Sequence, residues 1–325
     1  MTLGRKVASA PAKVILFGEH FVVYENPAIL AAINKRIAAT ARILKEDKIV
    51  IKSDIGLAGV YANSKFKVLR GGTGAARSLD PIHLAIRRVL AANKKKRGIR
   101  IDVRSKVPHG IGLGSSAATC VATVAAVDSL FARHKKQWIC QNAIHSEQMI
   151  HENSSGADCY VSTFGGLIKY SRGEGYTRIN AKKPLSLVIC NTGLTHSTGD
   201  LVAKVKKFKR DNELLFRDLT KQANEICSDA LRGIELGIHE RLGPLMVENQ
   251  ALLRQIGVSH EQAEGLIEAC VNAGALGAKV TGAGGGGAVI ALTSSSKESS
   301  RIAKRIRAAG KDSIHVEIDC EGLIV

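Results

Sequence analysis

The sequence predicts an α+β protein of two domains, and three observations carry that expectation. The chain has 325 residues, more than one hydrophobic core ordinarily organises. Its first half interleaves short β-branched runs with helical segments. Its second half reads strand, helix, strand, strand, helix, strand, the split βαβ order of ferredoxin-like domains. Hydrophobic residues at 45% and charged residues at 23% exclude a disordered or low-complexity chain.

In the first half, 13–17, 37–44 and 48–51 read as strands from their Val, Ile and Ala content. Asp80-Pro81 is expected to open a helix reaching about Ala92, with Asp as N-cap and Pro in the first turn. A strand at 99–103 leads through a glycine-rich turn into a small-residue helix over 115–133. A helix over 137–151 and a strand over 165–170 complete this half. The second half begins with a strand at 185–190 and a helical stretch over 211–256. A helix over 261–273, stopped by Gly274, precedes strands at 277–281 and 288–292. A helix over 297–309 then leads to a strand at 313–319, whose Ile314, Val316 and Ile318 alternate onto one face. Lys182-Lys183-Pro184 breaks the pattern, so the expected domains are 1–183 and 184–325.

Lys and Arg number 47 against 29 Asp and Glu, a net charge of +18. The basic clusters at 94–97, 204–210 and 301–307 are dispersed, and the first and last contain no aromatic residue. Base-stacking nucleic-acid binders interleave the two, so the charge reads as solvated surface and a field that attracts anionic metabolites. No apolar run approaches the ~20 residues of a membrane span; the longest, 117–132, is cut by Asp128 and Ser129. The basic N-terminus lacks the apolar region of a signal peptide. Seven scattered cysteines without a C-x-x-C pair fit reduced thiols in the cytoplasm, and argue against a disulfide framework or a zinc site. His145 and His151 are six apart and share no helical face on which to chelate zinc.

Three segments carry chemistry. In VPHGIGLGSSA, Gly110, Gly112 and Gly114 strip side chains from a turn that runs directly into a helix. Backbone amides and the positive end of the helix dipole make such a turn an anion cradle, and Ser115 and Ser116 add hydroxyls. It is no P-loop, because no Lys-Ser/Thr pair follows the glycines. It matches G-x-G-x-x-A from Gly112 to Ala117, yet no acidic residue stands about 20 positions on to hold a ribose. A plain glycine turn with a serine N-cap is the alternative. In TGAGGGG, ending at Gly287, consecutive glycines imply a backbone that approaches a ligand or bends sharply beside one; a structural loop is the alternative. Glu147 on a helix, and Asp158 after the turn ending at Gly156, suit a divalent cation and a hydroxyl to be positioned, Asp158 at a positive helix end. Taken alone, Glu147 reads first as a surface charge. Lys13 in a largely apolar strand needs a carboxylate or phosphate partner unless it snorkels to solvent.

PAKVILFGEHFVVY, PHGIGLGSSAA and KVTGAGGGGAVIAL resemble, in order, the three signature motifs of the GHMP small-molecule kinases, over a span from Pro11 to Leu292. G-E-H-x-V-V-Y is most similar to the version in members acting on mevalonate, of the shorter archaeal kind; sugar-kinase members usually continue with Thr-Asp. The resemblance implies a ribosomal-protein-S5-like N-terminal domain, a ferredoxin-like C-terminal domain, and phosphorylation of the 5-hydroxyl of mevalonate with ATP and Mg²⁺ as cofactors. Carried over by position, it implies that Ser105, Pro108, Gly110, Ile111, Gly112, Leu113, Gly114, Ser115 and Ser116 hold the ATP phosphates. Ser116 and Glu147 would ligate Mg²⁺, and Asp158 with Lys13 would act on the hydroxyl. Glu19, His20, Gly284 and Gly285 would complete the substrate site. Ser154 stands where the family usually has Pro, Phe21 where it usually has Ala, and Glu25-Asn26 replaces a glycine-containing turn. Other alcohols handled on this scaffold, phosphomevalonate, mevalonate 3-phosphate and homoserine, are the nearest alternatives, and a non-catalytic ligand sensor is a further one. The expected assembly is a homodimer without nucleic-acid or membrane partners.

Overall fold

The computed structural model describes residues 4–63, 65–72, 74–108, 110–149, 155–194 and 198–325. The chain begins with β1 (Arg5–Phe17), a 3₁₀ turn (Phe21–Tyr24), β2 (Ala28–Leu44), β3 (Ile49–Ser53), β4 (Ala58–Ala62) and β5 (Lys65–Arg70). Next come α1 (Ala75–Ala92), β6 (Gly98–Ser105), α2 (Ser115–Asp128), α3 (Lys136–Gln148), α4 (Ala157–Phe164), β7 (Leu167–Ser171) and β8 (Gly175–Ile179). The second half holds β9 (Ser186–Asn191), α5 (Thr198–Asp211), α6 (Glu213–Leu236), α7 (His239–Gln255) and α8 (Glu261–Asn272). It ends with β10 (Gly277–Thr281), β11 (Ala288–Thr293), α9 (Ser296–Ala308) and β12 (Ser313–Glu317).

The N-terminal sheet runs β5-β4-β3-β6-β2-β7-β8, with β1 paired antiparallel to β2. β2 serves three partners because it is long: its start pairs with β7, its end with β6, and β1 follows most of its length. The β1–β2 register shifts between Pro11 and Ala12, where a proline without an N–H is tolerated at an irregularity. Behind the sheet lies α2, buried from Ala117 to Asp128 except at Thr119; a helix apolar on nearly every side belongs at the centre of a domain. The C-terminal sheet has the order β10-β11-β9-β12, every pairing antiparallel. With α5–α8 inserted before β10 and α9 before β12, this is the ferredoxin-like arrangement expected from the strand order. The chain passes from one sheet to the other between β8 and β9.

It also returns. Asp319 donates its amide to the Ala32 carbonyl and accepts from Gly166, and Ser9 and Ile324 exchange two backbone hydrogen bonds. Arg36 clasps this tail, pairing with the Asp319 carboxylate and donating to the carbonyls of Ser9 at 2.7 Å and Gly322 at 2.6 Å.

Several boundaries differ from the sequence expectation. α1 starts at Ala75, so Asp80 is no N-cap and Pro81 lies inside the helix; Asp80 instead accepts from the Tyr61 hydroxyl at 2.7 Å, which ties the early turns to β4. α2 stops at Asp128 because that buried carboxylate turns the chain back, accepting from the His134 amide at 2.9 Å and bonding its ring at 2.7 Å. The stretch over 211–256 is two helices, separated at Gly237 in the left-handed conformation at φ 70°. The expected helix end at His151 lies outside the described residues, as do Asn153 and Ser154. β4, β5, β8 and α5 were not anticipated.

Candidate active site

Lys13 lies on the face of β1 opposite Ala12 and Val14, toward α4. Its side chain is 6% exposed, and Nζ sits 3.2 Å from the Asp158 carboxylate. The snorkelling alternative therefore fails: the ammonium is buried and partnered. Asp158 stands in the first turn of α4, whose N-cap, Gly156, is left-handed. That end of the helix carries partial positive charge, so Asp158 meets a cation and a helix terminus together.

Lys13 is also locked to the glycine turn. Its amide donates to the Leu113 carbonyl at 2.9 Å, and a Cβ on Gly114 would come within 2.7 Å of its Cγ. Gly114 holds φ 69° as the N-cap of α2, and no side chain caps that helix. The first amides of α2, at Ser115 and Ser116, thus keep the uncapped helix start that attracts anions. Burial alternates along the turn: Gly110 and Gly112 are exposed, whereas Ile111 and Leu113 are buried. Ile111 and Leu113 can accordingly offer a phosphate only their backbone, since their side chains anchor the turn in the core. Ser105 does not present a free hydroxyl either; its Oγ bridges the Val107 carbonyl at 3.0 Å and the Val107 amide at 3.1 Å. Pro108 is half-buried at the start of the turn.

Beside the turn opens a cavity of about 310 Å³, lined by Ile55, Leu57, Pro81, Ile82, Ser115 and Ser116 among others. It is an apolar slot with the helix start at its rim, the shape that takes a planar base attached to a polyanion. Sequence reading missed its Ile55, Leu57, Pro81 and Ile82, because β4 was not foreseen and the start of α1 was misplaced.

Glu147, on α3, is buried, not a surface charge. Cys159 donates its thiol to Glu147 Oε2 at 3.4 Å, and burial with this carboxylate nearby pushes the Cys159 thiol well up. Cys120 also feels Glu147, and Ser116 lies one turn before Cys120 on α2, on the same helical face. Glu147 therefore stands close to both α2 and α4, near Cys120 and Cys159. Among the described residues no cluster of three His, Cys, Asp or Glu forms a self-sufficient metal cage. A hydroxyl and a carboxylate beside a phosphate site are the sparse, hard oxygen set with which Mg²⁺ is ordinarily held, so these residues fit that ion.

Glu19 departs from the expectation. It is fully buried, and its carboxylate faces Lys279 of β10, itself fully buried. A side chain enclosed in this way is not on the surface that meets a substrate; its partner is a lysine. Burial pushes Glu19 up and Lys279 down, and each is held against that by the other. Lys279 could have been noticed for the reason Lys13 was, as a lone cation in an apolar strand. His20, 7% exposed, bonds through Nε2 to the Ala283 carbonyl at 2.9 Å and holds φ 61°. Burial lowers its pKa.

The glycines of the second loop face protein. A Cβ on Gly284 would meet the Val258 carbonyl at 2.3 Å, and one on Gly285 would meet Leu201 at 2.8 Å. Gly284 and Gly285, expected at the substrate, are thus explained by packing. The loop also touches the first glycine turn: Cβ atoms on Gly282 and Gly287 would lie 3.3 Å from the Gly112 carbonyl and 3.1 Å from that of Ile111. Thr281 fastens β10 to β1, its Oγ1 accepting from the Ile15 amide and donating to the Ile15 carbonyl, both at 2.9 Å.

Known proteins were compared with this arrangement. Residues 81–166 match the GHMP kinases N terminal domain and residues 230–312 the GHMP kinases C terminal domain. A mevalonate kinase of Pyrococcus furiosus is 39% identical, with 98% of this chain and 97% of that protein covered. One of Thermococcus gammatolerans is 38% identical, with 98% of each covered. The crystal structure of L. major mevalonate kinase in complex with R-mevalonate superposes with a TM-score of 0.83 at 30% identity, covering 98% of this chain and 97% of that one.

Proposed function

The chain belongs to the GHMP kinase family, and on that premise we propose that it transfers the γ-phosphoryl group of ATP to the 5-hydroxyl of mevalonate, as a step in isoprenoid biosynthesis. The observation that carries the reading is the pairing of buried Lys13 with the partly exposed Asp158, 3.2 Å apart, beside the uncapped start of α2. It brings a cation, a carboxylate and an anion cradle to one place, which phosphoryl transfer to an alcohol requires. Mevalonate itself is the substrate in the name and title of the relatives at 30–39% identity.

Phosphoryl transfer passes through a loose transition state, so the protein mainly positions groups and neutralises spreading charge. In this reading the apolar slot takes the adenine, and the backbone from Gly110 to Ser116 with the α2 dipole takes the phosphates. Lys13 neutralises charge on the transferred group; a cation ~4 Å from a unit charge contributes roughly 4 kcal/mol at an effective dielectric of ~20. Asp158 orients the attacking hydroxyl and accepts its proton. His20 faces the substrate, and Glu19 acts from behind it. Ser116 and Glu147 would hold Mg²⁺, which when bound supplies neutralising charge to the phosphate oxygens. Among the described residues no helix is long and apolar enough to cross a membrane; the reading takes the enzyme to be a cytoplasmic homodimer, checked by light scattering.

An ADP-release assay of the purified protein against mevalonate, phosphomevalonate, mevalonate 3-phosphate and homoserine tests the proposal. Turnover is expected with mevalonate. Preference for any other alcohol overturns the substrate, and no turnover with any alcohol in the panel counts against the activity.

A further inference from the structure

Three successive residues after β1 are each held by a different part of the C-terminal domain. The Gly18 amide donates to Asn249 Oδ1 on α7 at 3.4 Å, Glu19 pairs with Lys279 on β10, and His20 bonds to the Ala283 carbonyl in the glycine loop at 2.9 Å. The contacts from the C-terminal side alternate: Lys279, Thr281 and Ala283 reach Glu19, Ile15 and His20 in turn. Lys279 and Thr281 share one face of β10, and the turn that follows at Gly282 brings the Ala283 carbonyl to His20, so the end of β10 and the start of its loop dock at the end of β1.

At that junction, Lys279 makes the charged contact. Its Nζ also donates to the Val280 carbonyl at 2.6 Å, and the Val280 amide donates to Gln250 Oε1 at 3.0 Å, so the lysine is fixed at its own end before it meets Glu19. Glu19 and Lys279 both have 0% side-chain exposure. A fully enclosed ion pair is poor value as a stabiliser, since hydrophobic residues of similar volume often serve as well or better. What it supplies here is direction. Gly18 takes its φ of 92° readily, but His20 holds φ 61°, a conformation that a residue with a side chain does not favour and that its surroundings must hold.

We propose that Lys279 is a positioning residue for the alcohol substrate: through Glu19 it fixes the Gly18–His20 turn and so sets where His20 meets that substrate. The inference rests on the reading of His20 as a substrate-facing residue. Lys279 touches no reactant and acts through Glu19. Its effect is expected on the alcohol side of the site, because its route, Glu19, leads into the turn that carries His20, whereas the phosphate turn opens α2.

The test is the isosteric neutral pair Glu19→Gln with Lys279→Met, beside Lys279→Met alone and Lys279→Arg. Thermal unfolding and separate KM values for ATP and for the alcohol are measured on each. Assays use whichever alcohol the wild type phosphorylates, so a wrong substrate assignment and a wrong role for Lys279 fail separately. The single variant leaves Glu19 buried without its counter-charge, and loses both stability and activity. The double variant is expected to melt near the wild type yet show an alcohol KM raised about tenfold, with the ATP KM within a factor of two. Lys279→Arg is expected to recover part of the alcohol KM. An unchanged alcohol KM in the double variant, or equal rises in both KM values, overturns the proposal. A double variant that fails to fold also overturns it, because the pair would then be needed for the fold and not for substrate placement.

Discussion

Gly112 and Gly284 both hold positive φ, 81° and 73°, yet a methyl on the first would meet nothing closer than the Thr281 carbonyl at 4.0 Å, while one on the second would strike the Val258 carbonyl at 2.3 Å. The two glycine-rich loops look alike in composition and differ in purpose. The turn at 110–114 leaves its backbone open at the exposed Gly110 and Gly112, with Ile111 and Leu113 as anchors in the core, and in the proposed function that open backbone meets phosphate. The loop at 282–287 uses glycine to pack against protein, Gly284 and Gly285 against Val258 and Leu201 of its own domain and Gly282 and Gly287 against the first turn. Glycine content identifies a place where backbone comes close to something; only the neighbours say whether that something is a ligand or the protein itself.

That division is open to experiment. Asp158→Asn, on the ligand side, is expected to lower kcat at least ~10²-fold with the ATP KM little changed; near-normal turnover would remove Asp158 from the mechanism. Gly284→Ala should do the reverse, costing roughly 2–4 kcal/mol of stability from left-handed strain and overpacking together. Urea unfolding measures it, and a normal midpoint with impaired turnover would place Gly284 back at the substrate. Gly114→Ala falls between them. It bears the same strain, ~1–2 kcal/mol, but its clash is with the flexible stem of Lys13, so a displaced Lys13 is expected to lower kcat about tenfold.

The smallest effect concerns pH. Burial lowers the His20 pKa from its ordinary 6.5, so the folded protein binds that proton less readily than the unfolded chain does. The stability linked to neutral His20 is full above about pH 6.5 and is lost as pH falls through the lower folded value. His20→Gln should flatten this part of the acid limb in thermal unfolding measured from pH 7 to 5; an unchanged limb would show that His20 is not among the groups responsible.

Lys13, Asp158 and the 110–116 turn were legible in the sequence because each is a local anomaly: a cation in an apolar strand, an acid at a helix start, glycines before a helix. The ferredoxin-like order was legible because β9–β12 are short apolar runs bounded by glycine or polar residues. β5 was not, since all but one of its residues are exposed and it has no buried face to impose alternation. The start of α1 was missed because Asp-Pro is a strong local signal that tertiary contact with Tyr61 overrides. Glu19 was placed at the substrate by the family motif alone, and its lysine partner, 260 residues away, lies beyond the reach of any motif.

The return of residues 319–324 to β1 and β2 has a consequence for biosynthesis. A nascent N-terminal domain emerges lacking the segment that Arg36 clasps, and the whole C-terminal domain must be translated before that segment arrives. The N-terminal sheet can close while its successor is still on the ribosome, as leading domains usually do, but Arg36 waits for Asp319 and Gly322 until the second half has been made.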